Sequence, residues 1–187
     1  EYLKVVEESD DTLGCFLFGC DDPLKLPDYQ NNFHIKQYKR IKVYASKRPW
    51  LSTEIKVTDK KKYTLFLVGT GETRGCNRPD CYVEPITKNR LVLKLGDSSN
   101  YDNYNPNFSY RDGVAEIKHF NSIGEVKITY RDWRTWPPPQ GWYQCNSGHI
   151  LIDAFLFEKE KEEEFKNFLR AVKKLNPNDE NIQKVQL

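Results

Sequence analysis

Residues 150–157, Ile-Leu-Ile-Asp-Ala-Phe-Leu-Phe, form the longest apolar run in the chain, broken only by Asp153, and lead directly into a segment dense in glutamate and lysine. Within that segment Phe165, Phe168, Leu169, Val172 and Leu175 follow the i, i+3, i+4, i+7, i+10 spacing of a single helical stripe. The pattern predicts a last β-strand over residues 150–157 and one amphipathic helix over residues 158–175. Glu160, Glu162, Glu163 and Glu164 at its start and Lys173 and Lys174 at its end complement the helix dipole, and Asn176-Pro177 stops it. Burying five large apolar side chains contributes on the order of 1.5–3 kcal/mol each before entropy is subtracted, so the helix must close the fold. The tail from residue 178 to 187 is expected to be loose.

Upstream, the periodicity is that of strands. In residues 34–44, Ile35, Ile41 and Val43 share one parity while Lys36, Arg40 and Lys42 share the other, which predicts a half-exposed strand with one dry and one charged face. Ile55 and Val57 continue the alternation. Residues 63–68 are nearly all apolar and read as a central strand covered on both faces. Leu91, Leu93 and Leu95 alternate cleanly, and segments 114–120 and 125–130 are separated by a turn of hairpin length. Residues 96–113 are the most loop-like stretch. The expected architecture is an all-β or α+β domain, an antiparallel sandwich or barrel of about seven to nine strands closed by the C-terminal helix, with the chain of 187 residues forming one domain.

Composition restricts the partners. With 29 basic and 27 acidic residues the net charge is +2, too weak a field to argue for nucleic acid. The apolar run at 150–157 is far below the roughly 20 residues needed to span a bilayer as a helix. The chain starts at Glu1 and contains no methionine, which fits a processed mature chain or a trimmed one.

The five cysteines are unevenly placed: Cys15 and Cys20, Cys76 and Cys81, and Cys145 alone. One reading closes a short loop by a Cys76–Cys81 disulfide and lets Cys145 reach Cys15 or Cys20, as an oxidising compartment permits. A second holds zinc with the two C-x4-C pairs, or with one of them plus Cys145 and His149; the apolar filling between Cys15 and Cys20 looks like a strand rather than a ligand turn. A third leaves buried free thiols. Asn107-Phe-Ser is a glycosylation sequon in a segment that reads as exposed loop, and Trp133-x-x-Trp136 has the spacing of a tryptophan-mannosylation acceptor, although such pairs are commonly packing residues. Together these point to a secreted or extracellular protein.

Catalysis has little support. His34, His119 and His149 are scattered, and neither a Gly-x-Ser-x-Gly elbow nor a His-Glu-x-x-His motif is present. Gly69-x-Gly71 with Gly75 lacks the lysine and hydroxyl of a phosphate loop. The Asp97, Asn100, Asp102, Asn103, Asn105, Asn107 cluster lacks the central glycine and bidentate glutamate of a helix-loop-helix calcium site, and its side chains suit capping their own turns. No cofactor and no metal site is expected.

Binding is the better expectation. Tyr101, Tyr104, Phe108 and Tyr110 alternate with amides and carboxylates, a composition suited to stacking on sugar rings or to adaptable protein contacts. Trp133, Trp136 and Trp142 extend such a platform or staple their proline-stiffened segment to the sheet. The expected partner is a protein or a glycan, reached through residues 97–112 and 133–143, with self-association open.

A different surface is basic. Lys36, Arg40, Lys42, Lys47 and Arg48, with further lysines at 39 and 60–62, fall on consecutive strands and their loops. A β-sheet domain closed by one C-terminal amphipathic helix resembles a pleckstrin-homology-like barrel in outline. That resemblance implies an intracellular domain binding phosphoinositide or an acidic membrane between basic loops, whereas charge runs are ordinarily solvated faces.

Overall fold

The computed structural model describes residues 22–27, 35–44, 50–71, 73–77, 82–85, 88–96, 107–109, 113–130 and 147–187. Among them are ten strands: β1 Ile35–Tyr44, β2 Leu51–Val57, β3 Tyr63–Thr70, β4 Thr73–Asn77, β5 Tyr82–Pro85, β6 Lys88–Leu95, β7 Asn107–Ser109, β8 Val114–Ile117, β9 Gly124–Tyr130 and β10 Ser147–Glu158. A 3-10 turn, Lys159–Lys161, leads into α1, Glu162–Leu175, and α2 spans Glu180–Gln183.

The strands form two sheets in which every pairing is antiparallel. The first is six-stranded: β10 lies between β1 and β3, β8 flanks β3, and β4 and β5 extend from the start of β10. The second runs β2, β9, β6, β7. Two antiparallel sheets and a C-terminal helix are as expected, but the sheets do not close into a barrel. The connection after β8 also departs from the expectation. Val114–Ile117 pairs with β3 in the first sheet, and after residues 118–123 the chain enters β9 in the second, so the expected 114–130 hairpin is a crossover.

Alternation along the central strands creates two apolar layers. Leu65 and Leu67 of β3 and Ile150, Ile152, Ala154 and Leu156 of β10 meet Ile55, Val57, Leu93, Leu95, Val126 and Ile128 of the second sheet in one cluster. Phe66, Val68, Phe155 and Phe157 point the other way and meet Phe165, Phe168, Leu169 and Val172 of α1. Phe165 stacks on Phe157 with ring centroids 4.0 Å apart and meets Phe66 edge-on at 5.4 Å. Residues 63–68 are buried on both faces, as their apolar composition predicts.

The C-terminal region departs from the periodicity in three places. Glu158 still pairs with Tyr63, and Lys159 N donates to Lys62 O at 3.0 Å, so the ladder holds the chain extended and α1 begins at Glu162. Leu175 is 45% exposed. At 3.6 residues per turn it lies roughly 80° around the helix from Phe165, at the edge of the stripe and in the last turn. The expected loose tail is instead packed: Asp179 caps α2 by accepting from Ile182 N at 3.0 Å, and Ile182 and Val185 are buried in the α1 cluster. Further upstream, the expected loop 96–113 contains the short strand β7, whose Asn107 pairs with Arg90.

Candidate functional site

Strand register shows which connections share an end of the molecule. In the first sheet Thr70 pairs with Leu151, Val114 with Val68, Gly148 with Thr73 and Tyr44 with His149. The end of β3, the start of β8, the start of β10 and the end of β1 therefore lie together. In the second sheet the start of β2 and the end of β9 are adjacent, Tyr130 pairs with Leu91, and Lys88 pairs with Ser109. Six residues, 45–50, connect β1 to β2, which joins these ends of the two sheets. Connections 45–49, 86–87, 110–112 and 131–146 are all rooted there. The opposite end carries 58–62, 118–123 and the turn into α1, and segment 97–106 runs from Gly96 at that end to Asn107 opposite Arg90.

Tyr101, Tyr104, Tyr110, Trp133, Trp136 and Trp142 lie outside the described residues, as do Lys47, Arg48 and Cys81, but the strand ends that flank them are placed. Tyr110 and the three tryptophans belong to connections rooted at one end, together with Lys47 and Arg48. Cys76 is in β4 opposite Val83, and Lys36 is in β1. The described surface at this end includes Tyr44, 38% exposed, with Lys42 Nζ 5.7 Å from its ring centroid and the His149 ring at 5.8 Å.

Close backbone approach shapes the same end. Gly69 N donates to Gly113 O at 2.6 Å, and a Cβ at Gly113 would stand 1.9 Å from Gly69 O. Gly71 has φ +148, and a Cβ there would meet His149 O at 2.2 Å. The Gly69-x-Gly71 pattern thus serves the seam between β3, β8 and β10.

Arg40 is placed differently from the basic face expected of it. Its Nε and Nη2 bind Asp153 Oδ1 and Oδ2 at 2.8 and 2.7 Å, Nη2 also meets Asp179 Oδ2 at 2.7 Å, and Nη1 donates to Asp22 O at 2.7 Å. Its side chain is 3% exposed and that of Asp153 is 0%. Burial alone would favour the neutral guanidinium; the bonds to Asp153 and Asp179 outweigh it and hold Arg40 charged. Tyr38 donates its hydroxyl to Asp153 at 2.7 Å and accepts from Leu24 N at 2.9 Å. Burial, followed by the Asp153 charge, pushes the Tyr38 phenol well above its ordinary range. Asn181 Nδ2 completes the group with bonds to Asp153 Oδ2 at 2.8 Å and Leu151 O at 2.9 Å.

Tyr38 and Arg40 of β1 therefore face the α1 and α2 layer, and this part of the strand is less exposed than its alternation suggested. Two sequence signals mark this polar cluster: Asp153 inside an otherwise apolar run, and an arginine on the strand opposite it. Their pairing needed the β1–β10 register, in which Arg40 and Asp153 are direct partners.

A groove of about 330 Å³ lies between α1, β8 and the C-terminal residues, floored by Phe66, Phe157, Phe165 and Leu169 and rimmed by Glu116, Glu162, Lys166 and Lys184. No group of three or more histidine, cysteine or acidic side chains among the described residues is arranged to hold a metal ion. No described helix is long and apolar enough to cross a membrane.

No family model matches the sequence. No curated protein matches it either. Among solved structures the chain resembles one titled "EclA N-terminal domain; PllA-like lectin", with a TM-score of 0.40 and 14% identity over 65% of this chain and 96% of that one. A likeness of that degree carries no argument here about fold detail or ligand.

Proposed function

We propose that this chain is a non-catalytic binding domain of β-sandwich type, secreted or displayed at a surface, that recognises a partner protein or a glycan. Its recognition surface is the end of the two sheets from which residues 110–112 and 131–146 depart, with 97–106 reaching it from the opposite end. What carries the reading is the common rooting of these aromatic-bearing connections on a scaffold with buried cores on both sides of β10. Loops supported by a rigid sheet suit recognition, and flat amphipathic rings provide contact area at low entropic cost. The cysteines and the sequon at Asn107 support the secretory assignment.

The test is a glycan array, together with binding to candidate extracellular proteins, comparing the natural chain with the Tyr101→Ala, Tyr104→Ala double variant and with Trp136→Ala. Binding is expected to be lost with the melting temperature changed by no more than about 2–4 °C, the effect of about 1 kcal/mol in a domain of this size. A collapse of stability would place the rings in a core and sink the proposal. Binding to phosphoinositide vesicles that disappears on reversing Lys47 and Arg48 would replace it with the basic reading, in which Arg40 has no free guanidinium to offer.

A further inference from the structure

Among the described strands β8 forms the edge of the first sheet beside α1, and the groove between them differs in charge from one end to the other. Register sets Glu116 opposite Phe66 and Val114 opposite Val68, and β3 continues past the start of β8 to Thr70. At the Glu116 end the charges are matched within the protein. Lys118 Nζ lies 3.0 Å from Glu116 and 3.8 Å from Glu162 of α1, and Lys166 Nζ lies 3.6 Å from Glu162 and 2.8 Å from Glu163. At the Thr70 end stands Lys184, half-buried, whose Nζ donates to the Thr70 hydroxyl. That partner is neutral, and no acidic side chain among the described residues is ion-paired with Lys184. Between the two ends the lining is hydrocarbon, with Val185 closing the floor of phenylalanine rings and Leu169.

We propose that this groove binds an amphipathic monocarboxylate, its apolar body laid on the phenylalanine floor and its carboxylate paired with Lys184. An ammonium at the mouth of an apolar groove, bonded only to a hydroxyl, lacks the charged acceptor that makes the stronger class of hydrogen bond, and a carboxylate supplies it. The aromatic floor takes a ring or a short alkyl chain equally by burial of apolar surface. Size sets the scale of the ligand: about 330 Å³ falls at the low end of the roughly 300–1,000 Å³ of small-molecule pockets, which suits a single ring with a short chain. Charge sets the valence of the head. Lys184 is one cation, Lys166 is already paired with Glu162 and Glu163, and a second anionic group further along the groove would meet Glu116 and Glu162. The site lies on the α1 side of the first sheet and stands independently of the recognition surface proposed above.

The experiment titrates phenylbutyrate into the full chain carrying labelled leucine and valine methyls and follows them by NMR. The expected result is a saturable shift of the Val114, Leu169 and Val185 methyls, with Leu67 and Leu93, in the cluster between the sheets, unmoved. Lys184→Gln should weaken phenylbutyrate roughly ten- to a hundredfold, the loss of a hydrogen bond between charged groups. Phenylbutanol, with the same body and no charge, should bind the natural chain and Lys184→Gln equally, and Lys184→Arg should restore most of the affinity for the acid. Val114→Trp, which fills the groove from the edge strand and leaves Lys184 in place, should abolish binding of both probes. The proposal is overturned by a failure of millimolar phenylbutyrate to saturate any methyl shift, by shifts centred on Leu67 and Leu93, or by an equal loss of acid and alcohol in Lys184→Gln, which would make Lys184 a structural tie to Thr70 alone.

Discussion

Asp153 has 0% exposure and accepts hydrogen bonds from Tyr38, from Arg40 through two nitrogens, and from Asn181. A buried carboxylate is tolerated only with partners of this kind, and removing one of them leaves a charge that the interior cannot solvate. Arg40→Met is expected to lower stability by about 3–5 kcal/mol in urea denaturation, because it breaks a buried pair from one side. A loss below about 1 kcal/mol would mean that water reaches Asp153. Tyr38→Phe removes one donor from Asp153 and the acceptor of Leu24 N, with an expected loss of about 1–3 kcal/mol. The same substitution has a pH signature. The folded-state pKa of Tyr38 lies above its ordinary value of 10.0. Its stabilisation is therefore fully present below pH 10, where the phenol is protonated in both states. Above pH 10 the unfolded chain releases the proton and the folded chain keeps it, so stability falls with a slope approaching 1.4 kcal/mol per pH unit, roughly. Denaturation midpoints between pH 9 and 11 should show a shallower alkaline decline for Tyr38→Phe than for the natural chain; parallel curves would contradict the assignment.

At the scale of elements, the helix was legible because four of its five stripe residues, Phe165, Phe168, Leu169 and Val172, are buried where the 3.6 period puts them. Its start was not, because the register of β10 against β3 keeps Glu158 in the ladder, and that is a long-range pairing. The last ten residues are polar on average, and their composition hides the two apolar anchors of the α2 segment, Ile182 at 0% and Val185 at 4% exposure. Asn176 adds a further tie, donating to Lys25 O at 2.7 Å while accepting from Lys25 N at 2.9 Å. Ile182→Ala should therefore cost about 2–5 kcal/mol, as for other buried aliphatic truncations. Leu175→Ala, at a side chain 45% exposed, should stay within about 0.5 kcal/mol. Chemical denaturation of both variants discriminates a packed tail from a loose one, since a loose tail predicts no cost for Ile182→Ala. The aromatic and basic candidate residues were visible as composition, but the shared end at which connections 45–49, 110–112 and 131–146 are rooted depends on strand pairings between residues far apart in sequence, such as Tyr44 with His149 and Val114 with Val68, which local pattern cannot specify.

For the molecule as a whole, β10 is the wall between two cores. Ile150, Ile152, Ala154 and Leu156 face the second sheet, whereas Phe155 and Phe157 face α1. Neither layer can be lost without exposing one face of this strand, so the second sheet and the helix should unfold as one unit despite having no cluster in common. The crossover from β8 to β9 strengthens the coupling, because β8 belongs to the first sheet and β9 to the second. Native-state hydrogen exchange tests this directly. The amides of Ile128 in β9 and Leu169 in α1 should exchange with the same opening free energy, equal to the global value from denaturation. Ile152→Ala and Phe155→Ala, which truncate opposite faces of β10, should lower both by similar amounts, about 2–5 kcal/mol. If the Leu169 amide opened at a distinctly lower free energy and responded only to Phe155→Ala, the helix would be a separately unfolding layer. The proposed binding end would then rest on the paired sheets alone, and variants of α1 would leave any affinity measured there unchanged while still lowering the helix's own protection.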